Sequence, residues 1–283
     1  MKLTYPFFIV FSFLWSIGLQ GLTIPENGYV LSTAGTGIAT GDTPSLNPAL
    51  NISKHSYIQF SLNQWIGDIK GSSIIYNWGS KVPQVLSIQS WNAKDLELWD
   101  ETSADNPLGT FGVYYISASY GISHHLNTPY RFGVRIQTIY THLFTESISG
   151  ITLDAGTLIP LNSLLAIGGV IKNLGYVDTN GLRAKLPMEI GLGTRLDLPF
   201  NIAVLSDAIY LAEKGIDIRL GVRTQWEILN VYAGTSLNEK RNAQALGFSL
   251  NYRKWLISYG VYFHENTILG PVLPQFLDVR RYL

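Results

Sequence analysis

The strongest pattern in the sequence is an alternation of apolar and polar side chains that is clearest in residues 130–142. Large apolar residues hold the even positions there, namely Tyr130, Phe132, Val134, Ile136 and Tyr140. Small or polar residues such as Gly133 and Gln137 hold the odd positions, with Ile139 as the exception. A period of two places the two sets on opposite faces of an extended strand. The three- and four-residue spacing of a helix is absent, so the pattern predicts a β-strand.

The same alternation returns along most of the chain. It is found in residues 57–63, 74–78, 114–120, 151–156, 165–172, 186–197, 218–223, 246–252 and 255–263. Short polar or glycine- and proline-containing stretches separate these segments, and no linker divides them into two groups. The spacing predicts about 13–14 strands in one domain, and bacterial barrels usually have an even number of strands.

Composition decides which way the apolar faces point. Charged residues make up only 14% of the chain, whereas soluble domains have about 25%. Aromatic residues make up 12%, including 16 tyrosines and 7 tryptophans. Large apolar residues that face lipid, with small and polar residues that face a lumen, are typical of a membrane β-barrel. Such a barrel must close, because an open edge leaves backbone groups unpaired in hydrocarbon. The sequence therefore predicts an all-β, closed antiparallel transmembrane barrel of about 14 strands.

The amino terminus has a different character. Met1 and Lys2 precede an apolar run over residues 7–19, which predicts a secretory signal peptide within residues 1–21. A membrane-spanning helix is the alternative, but the run is shorter than the ~20 residues that a span needs. Cleavage after Gly18 and cleavage after Gly21 both remain open.

Residues 22–54 form an amino-terminal segment that precedes the predicted barrel of residues 55–283. The segment contains Gly35, Gly37 and Gly41 and has no strand pattern, which indicates either a backbone packed against another surface or a flexible entry. A turn motif follows at Asn47, Pro48 and Ala49. We expect this segment to lie in or near the lumen, as a possible plug or hatch.

Several function classes are disfavoured by composition and motifs. The formal net charge is zero, which argues against nucleic-acid binding, and the chain has no cysteine for disulfides or thiolate chemistry. No Gly-x-Ser-x-Gly elbow is present, and we predict neither an enzyme nor a cofactor site. Adjacent His124 and His125 point to opposite faces of a strand, so a solvated turn is favoured over a metal site.

Charged residues at inward positions of the predicted strands form a second candidate group. They are Arg131, Arg135, Asp154, Lys172, Glu189, Arg195, Arg219 and Arg223. These side chains either select a solute or pair with one another to fill a closed barrel, and the second interpretation is favoured. Matching the outer faces of neighbouring strands also predicts an ion pair between Asp154 and Lys172.

The longest polar stretch, residues 93–108, is predicted to be an external loop. Its candidates for facing a partner are Asp95, Glu97, Trp99, Asp100, Glu101 and Asp105. The loop binds either a partner protein or a divalent cation, or it is a solvated surface. Four other tryptophans near predicted strand ends, Trp65, Trp78, Trp91 and Trp255, are expected in the interfacial girdle.

Short motifs in a fixed order resemble a known family. They are Asn47-Pro48-Ala49-Leu50, Trp65-Ile66-Gly67-Asp68-Ile69, Gly109-Thr110-Phe111, Gly150-Ile151-Thr152-Leu153-Asp154-Ala155-Gly156 and Lys172-Asn173-Leu174-Gly175. Together they resemble the PorV/PorQ family of outer-membrane proteins, whose fold is similar to that of the FadL fatty-acid transporters. The resemblance implies a 14-stranded barrel in the outer membrane of a Gram-negative-type bacterium. Its implied role is in type IX secretion, docking or shuttling secreted proteins or anchoring a surface attachment complex, with outer-membrane lipid, secretion-system proteins and cargo as partners.

A FadL-like channel for hydrophobic small molecules is the alternative, with the Gly-rich segment as a movable hatch. The lumen lining distinguishes the two functions, because a hydrophobic ligand needs an apolar pocket with few polar groups. The predicted inward residues are mostly small and polar, which argues against transport. Apolar lining from the amino-terminal segment would reverse that argument.

Overall fold

Fourteen strands form the molecule in the computed structural model. It describes residues 19, 21–40, 43–51, 53, 55–66, 69–98, 107–125, 129–143, 146–178, 185–212, 214–238, 241–264 and 273–283. The strands are β1 (Tyr57–Gln64), β2 (Lys70–Trp78), β3 (Gln84–Leu98), β4 (Gly109–His125), β5 (Arg131–Leu143), β6 (Glu146–Pro160), β7 (Leu165–Asp178), β8 (Glu189–Leu198), β9 (Ile202–Leu211), β10 (Gly215–Trp226), β11 (Leu229–Asn238), β12 (Arg241–Tyr252), β13 (Trp255–His264) and β14 (Gln275–Tyr282).

Each strand pairs antiparallel with its sequence neighbours, and the first strand pairs with the last. The closing ladder between β1 and β14 runs from Tyr57 opposite Tyr282 to Gln64 opposite Gln275. Closure gives both edge strands a hydrogen-bonded partner, as a wall in hydrocarbon requires. The prediction of a closed antiparallel barrel of about 14 strands is confirmed. Within the described residues, no helix is both long and apolar enough to cross a membrane.

The wall is apolar outside and polar inside. On β5, Phe132, Val134 and Ile136 point outward with about half of their surface exposed, at 50%, 51% and 49%. Arg135 and Gln137, at the alternate positions of the same strand, are buried and face the lumen. Lipid takes the place that a core would take in a soluble sheet, which explains the low content of charge.

The two ends of the barrel differ in the length of their connections. At one end the turns are short, the longest being residues 79–83 and 126–130. At the other end residues 99–108, 179–188 and 265–274 link successive strands. Outer-membrane barrels have short periplasmic turns and longer extracellular loops, so we refer to these as the short-turn end and the long-loop end.

The prediction of a loop over residues 93–108 is wrong in its first part. Asp95 and Glu97 belong to β3, which runs on to Leu98 through an irregularity in its ladder with β4 between Ala93 and Leu96. Strand pairing therefore extends into the acidic sequence. The other candidates for facing a partner, Trp99, Asp100, Glu101 and Asp105, lie outside the described residues.

The lumen is filled by the amino-terminal part of the chain. We call residues 21–40 and 43–51 the lumen segment. It contains a short helix, α1 (Gly28–Ser32), and single 3-10 turns at Gly21–Thr23 and Pro48–Leu50. Its residues are largely buried against the inner wall, and Leu31, Ala39 and Leu50 have no exposed surface.

Two of the tryptophans expected in the girdle face the lumen instead. Trp91 is only 3% exposed and packs against Phe276, with 5.7 Å between ring centroids. Trp65 packs against Tyr262 and the same Phe276. The prediction is wrong for both because these rings cover the lumen segment, which provides an apolar surface inside the barrel. Trp78 and Trp255 are exposed on the outer face, in agreement with the girdle.

Candidate binding cavity in the barrel lumen

Two carboxylates of the wall hold the backbone of the lumen segment. Asp207 on β9 accepts the backbone N–H groups of Gly37 at 2.6 Å and Ile38 at 3.1 Å. Asp278 on β14 accepts the N–H of Gly28 at 2.8 Å. Both carboxylates are buried, and hydrogen bonds from backbone N–H groups stabilise charge in such a place. These contacts join the segment to two separate strands of the wall.

Further polar contacts continue along the segment. Arg195 donates to the carbonyl of Thr40 at 2.7 Å, and Arg219 donates to the carbonyl of Gly35 at 3.1 Å. Asn47 accepts the N–H of Ala49, which starts the turn that the sequence predicts there. The backbone groups of an irregular buried segment need such partners, because water does not reach them.

Glycines in the wall leave the space that the lumen segment occupies. A Cβ atom at Gly247 or Gly260 would overlap the side chain of Ser32, and one at Gly168 would overlap the carbonyl of Ile38. The other wall glycines in this role are Gly133, Gly156, Gly193 and Gly234. Close approach of two backbones is one reason for glycine in a strand interior. The wall and the segment are therefore complementary in shape.

A cavity of about 390 Å³ remains between the lumen segment and the long-loop end. Its volume falls in the range of sites for small organic ligands. Part of its lining is apolar and comes from both the segment and the wall: Leu22, Ile24, Val30, Leu46, Trp65, Leu211 and Tyr262. The lumen segment thus supplies the apolar surface that the strands alone do not provide.

Charged side chains also line the cavity, and three of the cations there are paired with carboxylates. Lys172 lies 3.3 Å from Glu189, and Arg219 lies 2.7 Å from Asp217. Arg135 contacts Asp154, just behind the lining, at 2.6 Å. The attraction within each pair offsets part of the cost of removing the two charges from water.

Glu26 of the lumen segment also lines the cavity. Its carboxylate is 4.0 Å from a guanidinium nitrogen of Arg135. The side chain of Arg135 therefore lies between a wall carboxylate and a carboxylate of the segment, and it takes part in the cavity lining. Arg135 therefore links a carboxylate of the wall to a carboxylate of the lumen segment at the surface of the cavity.

The predicted ion pair between Asp154 and Lys172 is wrong. The ladder between β6 and β7 shifts register between Leu153 and Ala155, so that Asp154 stands opposite the bulged part of β7. Asn173 in that bulge has a φ of 60° and donates its N–H to Asp154 at 2.8 Å. The extra residue turns Lys172 towards Glu189 on the following strand.

The structure brings together only part of the predicted charged group. Arg135, Lys172, Glu189 and Arg219 line the cavity, and Asp154 supports the first of them. Arg131, Arg195 and Arg223 lie nearer the short-turn end and are partly buried. Arg195 also pairs with Asp197 at 3.0 Å. His124 and His125 are exposed at the short-turn end of β4, and the described residues contain no cluster of three potential metal ligands.

Four carboxylates at this site are missing from the predicted group. They are Glu26, Asp207, Asp217 and Asp278. Asp207, Asp217 and Asp278 occupy inward positions of strands in which apolar and polar residues alternate. That alternation alone is enough to identify them. Glu26 lies in a segment without periodicity, and no sequence signal indicates its position.

Comparisons with known proteins agree with this architecture. No protein-family model and no curated protein matches the sequence. Among solved structures, the chain is similar to the Pseudomonas putida toluene transporter TodX, with a TM-score of 0.68 and 11% identity over 90% of this chain and 96% of that chain. It is also similar to the CymD monoaromatic hydrocarbon channel, with a TM-score of 0.62 and 8% identity over 91% of this chain and 97% of that chain. The chain therefore has the fold of FadL-like barrels.

Proposed function

We propose that the protein is an outer-membrane channel that binds small neutral amphiphiles in its lumen. The observation that carries the proposal is the cavity between the lumen segment and the long-loop end, with its partly apolar lining. Ligand sites are usually concave, mostly apolar and supplied with a few placed polar groups. The solved structures with this fold include a toluene transporter and a monoaromatic hydrocarbon channel, which supports a channel for organic molecules.

Charge pairing in the cavity favours a neutral ligand. Lys172 and Arg219 each contact a carboxylate, and Arg135 contacts one carboxylate closely and a second at longer range. A charged ligand that binds to one of these paired side chains would have to break its ion pair and leave a buried partner uncompensated, which is costly. A hydroxyl group donates or accepts a hydrogen bond, and a carbonyl group accepts one, without breaking an ion pair.

The apolar body of such a ligand fits the aromatic side of the cavity. Trp65 and Tyr262 both line it, with 5.8 Å between their ring centroids. Flat apolar groups pack well against such rings, in offset or edge-to-face arrangements. We therefore expect an aromatic or alicyclic body with a single uncharged polar group.

The docking role in type IX secretion, which the PorV/PorQ resemblance implies, receives no support from the comparisons. Of its candidate contact residues, Asp95 and Glu97 lie in a strand of the wall, and the other four lie outside the described residues. The cavity is a structural feature that supports the channel function, and the described residues offer no comparable feature for the docking role.

Binding to the purified protein tests the proposal. The ligands are phenylbutanol, phenylbutyrate and phenylbutylamine, which share one hydrocarbon body and differ in charge. Ala243 lines the cavity and Ala208 faces outward on β9, so A243F places a ring in the cavity and A208F adds the same group to the lipid side. We expect phenylbutanol to bind more tightly than either charged analogue, and A243F, but not A208F, to lose binding. Equal binding to both variants would contradict the proposal.

A further inference from the structure

A cluster of three cations lies on the outer rim of the short-turn end, away from the lumen. Arg253 and Lys254 form the turn between β12 and β13, and Arg281 is near the end of β14. The strands bring them together, because Arg281 pairs with Trp255 in the ladder and the N–H of Tyr282 donates to the carbonyl of Lys254 at 2.8 Å. All three side chains are exposed.

Two aromatic rings complete the cluster. The guanidinium of Arg281 lies 5.4 Å from the centroid of the Trp255 ring, and that of Arg253 lies 5.3 Å from the centroid of the Tyr252 ring. Both rings are exposed on the outer face of the wall. Tryptophan and tyrosine at such a position mark the level of lipid headgroups.

The apolar band of the wall begins immediately beside the cluster. Leu250 and Ile257 are exposed one step further along the strands, and Val279 lies next to them on β14. The cations are therefore at the boundary where hydrocarbon gives way to headgroups. The side chains of Arg253, Lys254 and Arg281 are long enough to reach across that boundary.

Within the part of the chain that the structure describes, no carboxylate pairs with the positive charge of the cluster. Among the described residues, the ion pairs of the wall use other cations, and none of these three has a carboxylate within ion-pair distance. Exposed, unpaired cations at a membrane surface attract anionic lipids. Arginine also offers several donors that match phosphate oxygens.

We propose that this rim cluster is a binding site for the phosphate headgroup of an anionic phospholipid in the periplasmic leaflet. Arg281 and Arg253 donate to the phosphate, Lys254 adds charge, and Trp255 and Tyr252 contact the glycerol and upper acyl region. The site lies on the lipid side of the closing seam of the barrel. It is independent of what the lumen carries.

Native mass spectrometry of the purified protein tests the site. The protein is exchanged into micelles that contain phosphatidylglycerol or phosphatidylcholine, and retained lipids are counted. The test variant is R253Q/K254Q/R281Q. The matched control is K70Q/K81Q/K94Q, which removes three exposed cations elsewhere on the barrel.

We expect the wild type and the control to retain phosphatidylglycerol in preference to phosphatidylcholine. In the test variant we expect that preference to fall by about tenfold or more, since each cation near a membrane surface contributes roughly fivefold. Single variants R281Q and K254Q give intermediate losses and serve if the triple variant does not fold.

Three results would overturn the site. The first is a wild type that retains both lipids equally. That result would be expected if the cluster bound an acidic protein instead of a lipid. The second is a test variant that retains phosphatidylglycerol as well as the control does. The third is full displacement of the lipid by inorganic phosphate, which would show a phosphate site rather than a lipid site.

Discussion

The carboxylate of Asp207 accepts the backbone N–H of Gly37 at a distance of 2.6 Å, although 170 residues separate the two in sequence. The same carboxylate accepts the N–H of Ile38. A single side chain of the wall therefore holds the point where the lumen segment passes across the barrel. In the proposed channel, conduction would depend on contacts of this kind, because the segment occupies the lumen.

Neutralising this residue is expected to loosen the segment. In D207N the amide oxygen is a weaker acceptor, and the loss of a charge-assisted hydrogen bond costs about 1–2 kcal/mol. We expect D207N to show more frequent and larger ion-conducting openings in planar bilayers. E227Q, in an exposed turn at the short-turn end, is the control. Identical conductance of D207N and wild type would mean that Asp207 does not restrain the segment.

Adjacent glycines of β7 provide a second test. A Cβ at Gly168 would overlap the carbonyl of Ile38, whereas one at Gly169 meets Thr157 and Leu192 at ordinary contact distances of 3.4 and 3.6 Å. We expect G168A to displace the lumen segment and make it sensitive to added protease, with the barrel itself intact. G169A should behave like wild type. Equal protease resistance of the two variants would contradict the close packing of the segment.

The Arg135–Asp154 pair is expected to contribute strongly to stability. Removing one partner of a buried ion pair costs about 3–5 kcal/mol, because the other charge remains uncompensated. We therefore expect D154N to lower the free energy of unfolding in urea by that amount. The double variant R135Q/D154N should lose less than the sum of the two single variants. Additive losses would show that the two side chains act independently.

The outward face of β5 tests the orientation of the wall. Ile136 lies in the middle of the strand and points outward. An arginine at the midplane of a bilayer costs about 2–4 kcal/mol, and near the interface about 0–1 kcal/mol. We expect I136R to lower the free energy of unfolding in lipid vesicles by the larger amount, and Y130R, at the short-turn rim, by the smaller. The reverse order would place Ile136 away from hydrocarbon.

Much of the fold follows from the sequence because the side chains of a strand alternate between its two faces, so the pattern of apolar residues shows which face points outward. The outward side chains of β5 and the inward Arg135, Arg219 and Glu189 all follow that parity. This alternation no longer predicts the direction of a side chain where a bulge shifts the register between two strands. The bulge at Asn173 turns Lys172 towards a different partner, and no local property of the sequence indicates that extra residue.

The contents of the lumen were harder to predict. Trp91 is at an inward position of β3, but its size suggests a girdle residue unless an apolar partner is present inside the barrel. That partner is the lumen segment, which has no periodicity and whose position depends on contacts with distant strands. Glycines such as Gly168 indicate close packing only once the segment that occupies their space is known.

Uptake by cells tests the central claim most directly. Gram-negative cells that display wild type, A243F or A208F are given radiolabelled phenylbutanol, and the initial rate of entry is measured. The channel function predicts faster entry with wild type and A208F than with an empty vector, and a rate near that of the empty vector with A243F. Entry at the empty-vector rate for all three, with secreted proteins and a translocon barrel co-purifying with the wild type, would contradict the channel and favour a docking role in secretion.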